Sequence, residues 1–396
     1  MALDVLIVGG GMIVHDQILP SLYHLQRLGN VGEIEVCGSR YQTVRALADA
    51  EGLLRAFPGQ RFAGFPESDS GGPQPELFRQ RIARRAARNL VAVAVPDQLH
   101  YDVVMEALAH DQHVLCVKPL VLRHSQAVGI AAEARRRRLL VAVEYHKRFD
   151  DRSLMARRRY REGRFGEFRL GTACLLEKWY YRHSNFQNWM TAEHSDAFTY
   201  IGCHYVDLVH FITGLLPVSV SVYGVLDRFA NGNEGYLWTD ARVIWNNGAC
   251  LNVQNALGFP DVAPGTNTQS LTMYCQGTDD GALLAHSDQY RGLKYSYTAR
   301  PDGPGATIYA EPSPDYFQYV DLGGPGLVPV GYGYRSIENI VAATARVNSG
   351  DGAKVLEEID DTGLLATPAN SAYNEQVIEA ARESIRSEGR EVKVRN

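Results

Sequence analysis

The sequence lacks the features that would commit it to a membrane, to zinc or to a polyanion. No stretch of it approaches the roughly 20 apolar residues of a membrane span. Cys37, Cys116, Cys174, Cys203, Cys250 and Cys275 are scattered with no C-x-x-C pair, which argues against zinc or a redox dithiol and for buried free thiols. A net charge of −5 leaves no positive surplus for nucleic acid or an anionic membrane. The arginine-rich stretches Arg79–Arg88, Arg135–Arg138 and Arg157–Arg159 are therefore read as solvated helix faces. The apolar N-terminus carries Asp4 and runs directly into a glycine turn, so it reads as a core strand and not a signal peptide. These absences lead to the expectation of a cytoplasmic protein. The length of 396 residues, 45% of them hydrophobic, allows two or three domains with separate cores.

What the sequence does contain begins at its start. Val5, Leu6, Ile7 and Val8 form the unbroken apolar run of a parallel strand buried on both faces, and Ile18, Leu22 and Leu25 then fall at helical spacing. The glycines between them sit where a strand end meets a helix start. Without side chains a ligand can approach the backbone there, and the N–H groups around Gly9, Gly11, Met12 and Ile13 favour a pyrophosphate, helped by the helix dipole. Gly9 and Gly11 match the first two positions of G-x-G-x-x-G, while the third is Val14. A second strand, Glu33–Arg40, ends at Ser39 and Arg40, where a dinucleotide fold usually carries an acid for the ribose. A hydroxyl and a guanidinium suit a 2′-phosphate at least as well, which tilts the expected cofactor towards NADP(H) over NAD(H).

Asn89–Val95, His113–Val117 and Leu139–Val143 repeat the buried-strand pattern between helices, the first stopped by Pro96. The alternation predicts an α/β, doubly wound parallel sheet over residues 1–146, with Gly9, Ser39, Pro96, Lys118 and His146 on its ligand-binding edge. Phe57–Pro75, crowded with glycine and proline, reads as a surface loop. After residue 150 longer strands are expected at Phe168–Glu177, Val218–Leu226, Ala241–Trp245, Ala249–Gln254 and Leu271–Gln276, with Asn247-Gly248 as a hairpin signal. Residues 147–396 are accordingly read as an α+β domain with an open, mainly antiparallel sheet. One helix, Ser195–Thr213 with Ser195 as N-cap, interrupts it, and another, Ala372–Glu388, rejoins it; 299–315 and 321–333 read as loops.

On the helix of the second domain, Tyr200 and His204 are one turn apart, and Asp207 follows within hydrogen-bonding reach of the imidazole. A metal site using His204, Asp207 and His210 is disfavoured, because the two histidines point about 120° apart at helical pitch. No metal is expected.

In this order the glycine turn, Pro96-Asp-Gln-Leu-His100, His113-Val-Leu-Cys-Val-Lys-Pro119, His146-Lys-Arg-Phe149, Gly202-x-His204-x-x-Asp207 and a C-terminal helix with Glu379-Ala resemble the Gfo/Idh/MocA family, named for glucose-fructose oxidoreductase, inositol dehydrogenase and rhizopine catabolism. The resemblance implies a Rossmann domain joined to an open sheet used for substrate and oligomer contacts, in a homodimer or homotetramer. It also implies NAD(P)-dependent hydride transfer at a hydroxyl or keto carbon of a sugar, glycoside or polyol. By resemblance Lys118 is the catalytic lysine and His204 the helix histidine, so that Lys118 is expected to take the hydroxyl proton and His204 to fix the same oxygen and relay the proton, with Tyr200 beside them in the catalytic set. His146, Lys147 and His183 match positions facing substrate or nicotinamide, and Pro96 and His100 belong to the cofactor-binding segment.

The chain departs from the family pattern at two acids: Val117 stands before the lysine and Tyr200 four residues before the histidine. Their loss removes negative charge that would hold Lys118 protonated and makes Tyr200 a neutral donor to substrate. Lys147, Arg148 and Arg182 are candidates to read an acidic substituent, and the aromatic loop Trp179–Tyr181 to cover a sugar's apolar face. Two rival readings keep the fold: a redox-neutral NAD-dependent glycosidase and a non-catalytic dinucleotide-binding regulator.

Overall fold

The computed structural model describes residues 2–69, 71–263, 265, 267–277, 279–287, 294–298, 307–310 and 313–394. They divide into one unit of residues 1–149 and 319–379 and another of residues 150–318 and 380–396.

The first unit is built on six strands: β1 (Leu3–Val8), β2 (Val31–Cys37), β3 (Ala63–Phe65), β4 (Leu90–Val93), β5 (His113–Val117) and β6 (Val141–Glu144). Their order is β3-β2-β1-β4-β5-β6, all parallel. The order reverses direction between β1 and β4, which is where such sheets open a ligand crevice. Val5, Leu6, Ile7, Leu90, Val91, Val93, Val114 and Leu115 are fully buried, as a sheet covered on both faces requires. The stretch read as a loop before Pro75 supplies the short edge strand β3. Arg81 and Arg85 depart from the solvated reading: both pair with Glu35, and Arg81 lies over the Phe65 ring at 3.5 Å. Those cations balance the half-buried carboxylate of Glu35 on β2.

The chain returns to the first unit after the second. Residues 319–379 pack with the first unit, led by a helix, Tyr332–Ser349, absent from the sequence reading. Its Ile337, Ile340, Val341, Thr344 and Val347 form a buried stripe at helical spacing. Ala366 then bridges antiparallel to Val143. Buried Arg148 donates to Gly363 O at 3.2 Å and lies 3.4 Å from the Tyr373 hydroxyl, so it fastens this segment instead of reading a substrate charge. The division between units falls inside the last helix, Tyr373–Arg386.

The second unit is a seven-stranded sheet with β7 (Glu167–Lys178), β8 (Pro217–Arg228), β9 (Glu234–Trp245), β10 (Cys250–Phe259), β11 (Asn267–Gln276) and β12 (Gly281–Ser287). The order is β12-β11-β7-β10-β9-β8, with Val392–Lys393 added beside β8. It is antiparallel except where β7 runs parallel to β10. Val220, Val243, Leu251, Val253, Leu271 and Met273 are buried on one face, while Leu170, Tyr223, Tyr274 and Leu283 stand exposed. The stretch 299–315 lies largely outside the described residues. In 321–333 a short strand, Val328–Val330, and the start of the long helix replace the expected loop.

One buried histidine ties the returning segment to the sheet. His113 accepts from Leu140 N–H through Nδ1 at 2.9 Å and donates through Nε2 to Asn348 Oδ1 at 2.9 Å, which fixes the neutral ring. Burial pushes its pKa down to about 4. Because the unfolded imidazole titrates near 6.5, the unfolded chain takes up a proton first as pH falls. Stability from His113 is therefore complete above the unfolded value and is lost between about pH 6.5 and 4, to a total of about 3 kcal/mol. Urea melts at pH 7 and pH 5 are expected to show a smaller acid loss in His113→Gln than in the wild type.

Candidate functional site

In the first unit the site is assembled at the C-terminal ends of the parallel strands. Gly9, directly after β1, has φ +120°, and a β-carbon there would stand 2.1 Å from the Ala94 carbonyl oxygen. No side chain fits. Gly11, in contrast, has open space around it, and helical structure starts at Met12. A widened π-type turn, Val14–Ile18, leads into the helix Leu19–Arg27. The first turn of any helix has N–H groups without intrahelical acceptors. This turn exposes them at half-buried Met12 and Ile13 beside a bare backbone, a cradle that fits a pyrophosphate. Ser39 and Arg40 follow β2 and are exposed.

Lys118 follows β5, is half-buried and joins Pro119 through a cis peptide. Its loop is clamped. His100, fully buried, places Nδ1 2.8 Å from Pro119 O and Nε2 2.9 Å from Val95 O. Leu120 N–H donates to Glu375 at 3.3 Å. With both nitrogens on backbone carbonyls, His100 holds the Pro96 and Lys118 loops against each other.

At the end of β6 the structure reveals a cluster that the sequence did not announce. Buried Glu144 accepts from Gln17 Nε2 at 2.8 Å and lies 3.0 Å from His146 Nδ1. The His146 ring stacks on Tyr332 at 5.5 Å, and Lys147 Nζ lies 5.7 Å from the centre of the same ring. Lys147 is buried.

In the second unit, the helix carrying Tyr200, His204 and Asp207 runs through a π-type turn, Phe198–Gly202, into Cys203–Thr213. Its cap is Asp196 and not Ser195: the Asp196 carboxylate accepts from Thr199 N–H at 2.8 Å and Thr199 Oγ1 at 2.7 Å, and burial pushes its pKa up. The helix lies close against β10, since a β-carbon on Gly202 would meet Asn255 Oδ1 at 2.6 Å. His204 and Asp207 are buried. Tyr200 is boxed edge-on by Phe186 at 4.9 Å and Trp189 at 5.6 Å.

The aromatic loop after β7 is held by two buried cations. Lys178 donates to the carbonyls of Pro260, Asp261 and Ala263, at 2.9, 3.2 and 2.7 Å, and burial pushes its pKa down. Arg182 donates to Leu257 O at 2.5 Å and to Asp227 at 2.6 Å, holding that carboxyl below its ordinary range. Its guanidinium also lies 3.9 Å from the Trp179 ring centre. Arg182 is thus a support for the loop and not a reader of substrate charge. Trp179, Tyr180 and His183 remain exposed on it. Among the described residues no group of three or more His, Cys, Asp or Glu side chains is placed to hold a metal ion.

Comparison with known proteins gives this architecture its place. The model of the oxidoreductase family with an NAD-binding Rossmann fold, GFO_IDH_MocA, matches residues 3–145, and that of the GFO/IDH/MocA C-terminal domain matches residues 153–276. The chain belongs to the Gfo/Idh/MocA oxidoreductase family. Among curated members, it is 26% identical over 176 residues to the D-glucoside 3-dehydrogenase of Escherichia coli, covering 44% of each chain. It is 36% identical over 78 residues to an uncharacterized oxidoreductase of Schizosaccharomyces pombe, covering 20% of this chain and 21% of that one. The matches therefore span less than half the length of these relatives. Among solved structures, GenD2 from gentamicin A biosynthesis, in complex with NAD, has a TM-score of 0.68 at 17% identity, covering 100% of this chain and 97% of that one. The scyllo-inositol dehydrogenase of Lactobacillus casei, with bound NAD(H) and scyllo-inositol, has a TM-score of 0.64 at 13% identity, covering 100% and 99%. At such identities these two structures show the fold alone.

Two glycines of this family member separate packing from ligand binding. Gly9→Ala is expected to lower the melting temperature sharply, because the added carbon meets backbone that cannot yield. Gly11→Ala is expected to leave melting unchanged while weakening NAD(H) binding about tenfold or more, measured by calorimetry.

Proposed function

We propose that the protein is an NAD(P)-dependent dehydrogenase or reductase acting on a hydroxyl or keto carbon of a sugar, glycoside or polyol. The observation that carries this reading is the lysine after β5, on a loop clamped by His100 and Glu375 at the strand ends where the glycine cradle also opens. Gly9, Gly11, Met12, Ile13 and Pro96 are assigned to the cofactor. When bound, its nicotinamide supplies the hydride acceptor or donor. Lys118 is assigned the proton of the reacting hydroxyl, and Tyr200, His204, Asp207 and His183 are assigned to substrate hydroxyls. The likeness to a glucoside dehydrogenase supports the substrate class.

The test is absorbance at 340 nm with glucose, methyl glucosides, myo-inositol and scyllo-inositol, each with NAD and NADP. Net change in reduced cofactor is expected, and its absence across the panel would overturn the reading. Lys118→Ala is expected to cut turnover by about 10²–10⁴-fold while retaining cofactor binding. Exposed Ser39 and Arg40, with no carboxylate at those two positions, support a preference for NADP(H). Arg40→Ala is expected to raise KM for NADP about tenfold and leave that for NAD unchanged.

Self-association through the open face of the second unit completes the proposal. Tyr274 registers with Leu170 on one side and Leu283 on the other, and all three are exposed. A contiguous apolar row across three strands favours burial against a second copy. Tyr274→Asp is expected to shift the protein from dimer or tetramer towards monomer in light scattering.

A further inference from the structure

The loop after β7 keeps two large aromatic side chains in solvent and commits buried charge to hold them there. Trp179 is 41% exposed and Tyr180 48% exposed. Tyr180 N–H donates to Asp261 Oδ1 at 2.9 Å, and its ring meets that of Tyr181 edge-on at 4.7 Å. Rings presented in this way offer a large contact area at little cost in conformational entropy when a ligand covers them.

What lies beneath Trp179 sets its chemistry. The Arg182 guanidinium is 3.9 Å from its ring centre and 5.1 Å from that of Trp238. Trp238 rests on bare strand, since a β-carbon on Gly258 would stand 2.2 Å from its ring. Asp227 and the Leu257 carbonyl hold Nη1 and Nε at the edge of the guanidinium, while buried Nη2 has no hydrogen-bond partner among the described residues. The flat of the cation is left to the indoles. An indole face is negative, and a cation on one side draws that density towards itself. The outer face of Trp179 is thereby a poor seat for a second cation, because two like charges would flank one ring, and for the polarised C–H groups of a sugar. It suits an electron-rich aryl ring, whose own negative face it repels less.

The platform adjoins the residues assigned to substrate. Ring contacts run from Tyr180 to Tyr181, on to Phe186 at 5.4 Å and from there to Tyr200 at 4.9 Å. Leu170, in the apolar row assigned to self-association, lies towards the other end of β7, about 30 Å of extended strand from Trp179. We propose that Trp179 and Tyr180 form an aglycone subsite for an electron-rich aryl group, so that the substrates are aryl glycosides. The proposal rests on the dehydrogenase reading and narrows it: the sugar carbinol reacts, and the aryl aglycone is bound unchanged.

Calorimetry of the NAD-loaded full chain tests it with methyl, cyclohexyl and 4-methoxyphenyl glucosides, both anomers of each. The 4-methoxyphenyl compound is expected to bind about tenfold more tightly than the other two, the cyclohexyl compound controlling for apolar bulk. In turnover the same gain is expected in KM with kcat changing little, because the contact is equal in ground and transition states. Trp179→Ala is expected to abolish the difference. Trp179→Phe, which keeps a smaller ring on the same cation, is expected to reduce it and serves if Trp179→Ala does not fold. Equal or absent binding of the cyclohexyl and 4-methoxyphenyl compounds, or a preference unchanged in either variant, would overturn the proposal. So would a smaller assembly of Trp179→Ala in light scattering, which would give the ring to a second copy of the chain. Should no glycoside change absorbance at 340 nm while the aryl preference in binding holds, the dehydrogenase reading fails and the subsite stands; turnover without that preference does the reverse.

Discussion

The first unit depends on how closely the ends of β1 and β4 approach. The Ala94 carbonyl occupies the space that a side chain on Gly9 would need, so only glycine lets the chain leave β1 and turn into the helix. The next carbonyl, of Val95, faces His100, whose other nitrogen holds Pro119. Two successive carbonyls after β4 thus fix the cofactor turn on one side and the lysine loop on the other. The glycine turn is thus set by backbone alone, whereas the lysine loop is held through the side chains of His100 and Glu375.

The glycine turn and the five long strands of this unit were legible because each is a short apolar run ended by a breaker, a pattern that needs no tertiary knowledge. The helix Tyr332–Ser349 was not. Its stripe of Ile337, Ile340, Val341 and Val347 is diluted by alanine and polar residues and follows a glycine-rich stretch, and it is stable because it packs on this unit, not through intrinsic propensity. Domain boundaries drawn from sequence alone therefore missed the return of residues 319–379. Arg148 and Arg182 show a complementary failure. A cation beside aromatic residues reads as an anion receptor, yet both are spent on buried carbonyls and a fixed carboxylate far away in sequence.

The cluster around Glu144 was hidden for a similar reason. In sequence Glu144 is only the polar end of a strand, and its partner Gln17 lies 127 positions earlier. No local pattern joins them. What was legible was a valine where the family carries an acid, which marked position 117 as altered; only strand register shows that its partner on β6 is Glu144.

The second departure is resolved differently. An aspartate in place of Tyr200 would set its charge against the rings of Phe186 and Trp189. The phenol tolerates those rings and gains edge-to-face contacts from them, so the tyrosine and the aromatic loop are one adaptation. The loop in turn is held by the buried cations Lys178 and Arg182, whose bonds to carbonyls and Asp227 support Trp179 and Tyr180 in exposed positions. Each lost acid is thus matched by residues outside the motif, by register on the first unit and by aromatic packing on the second. Restoring Asp at position 200 without removing Phe186 and Trp189 would replace those edge-to-face contacts with a charge set against two rings.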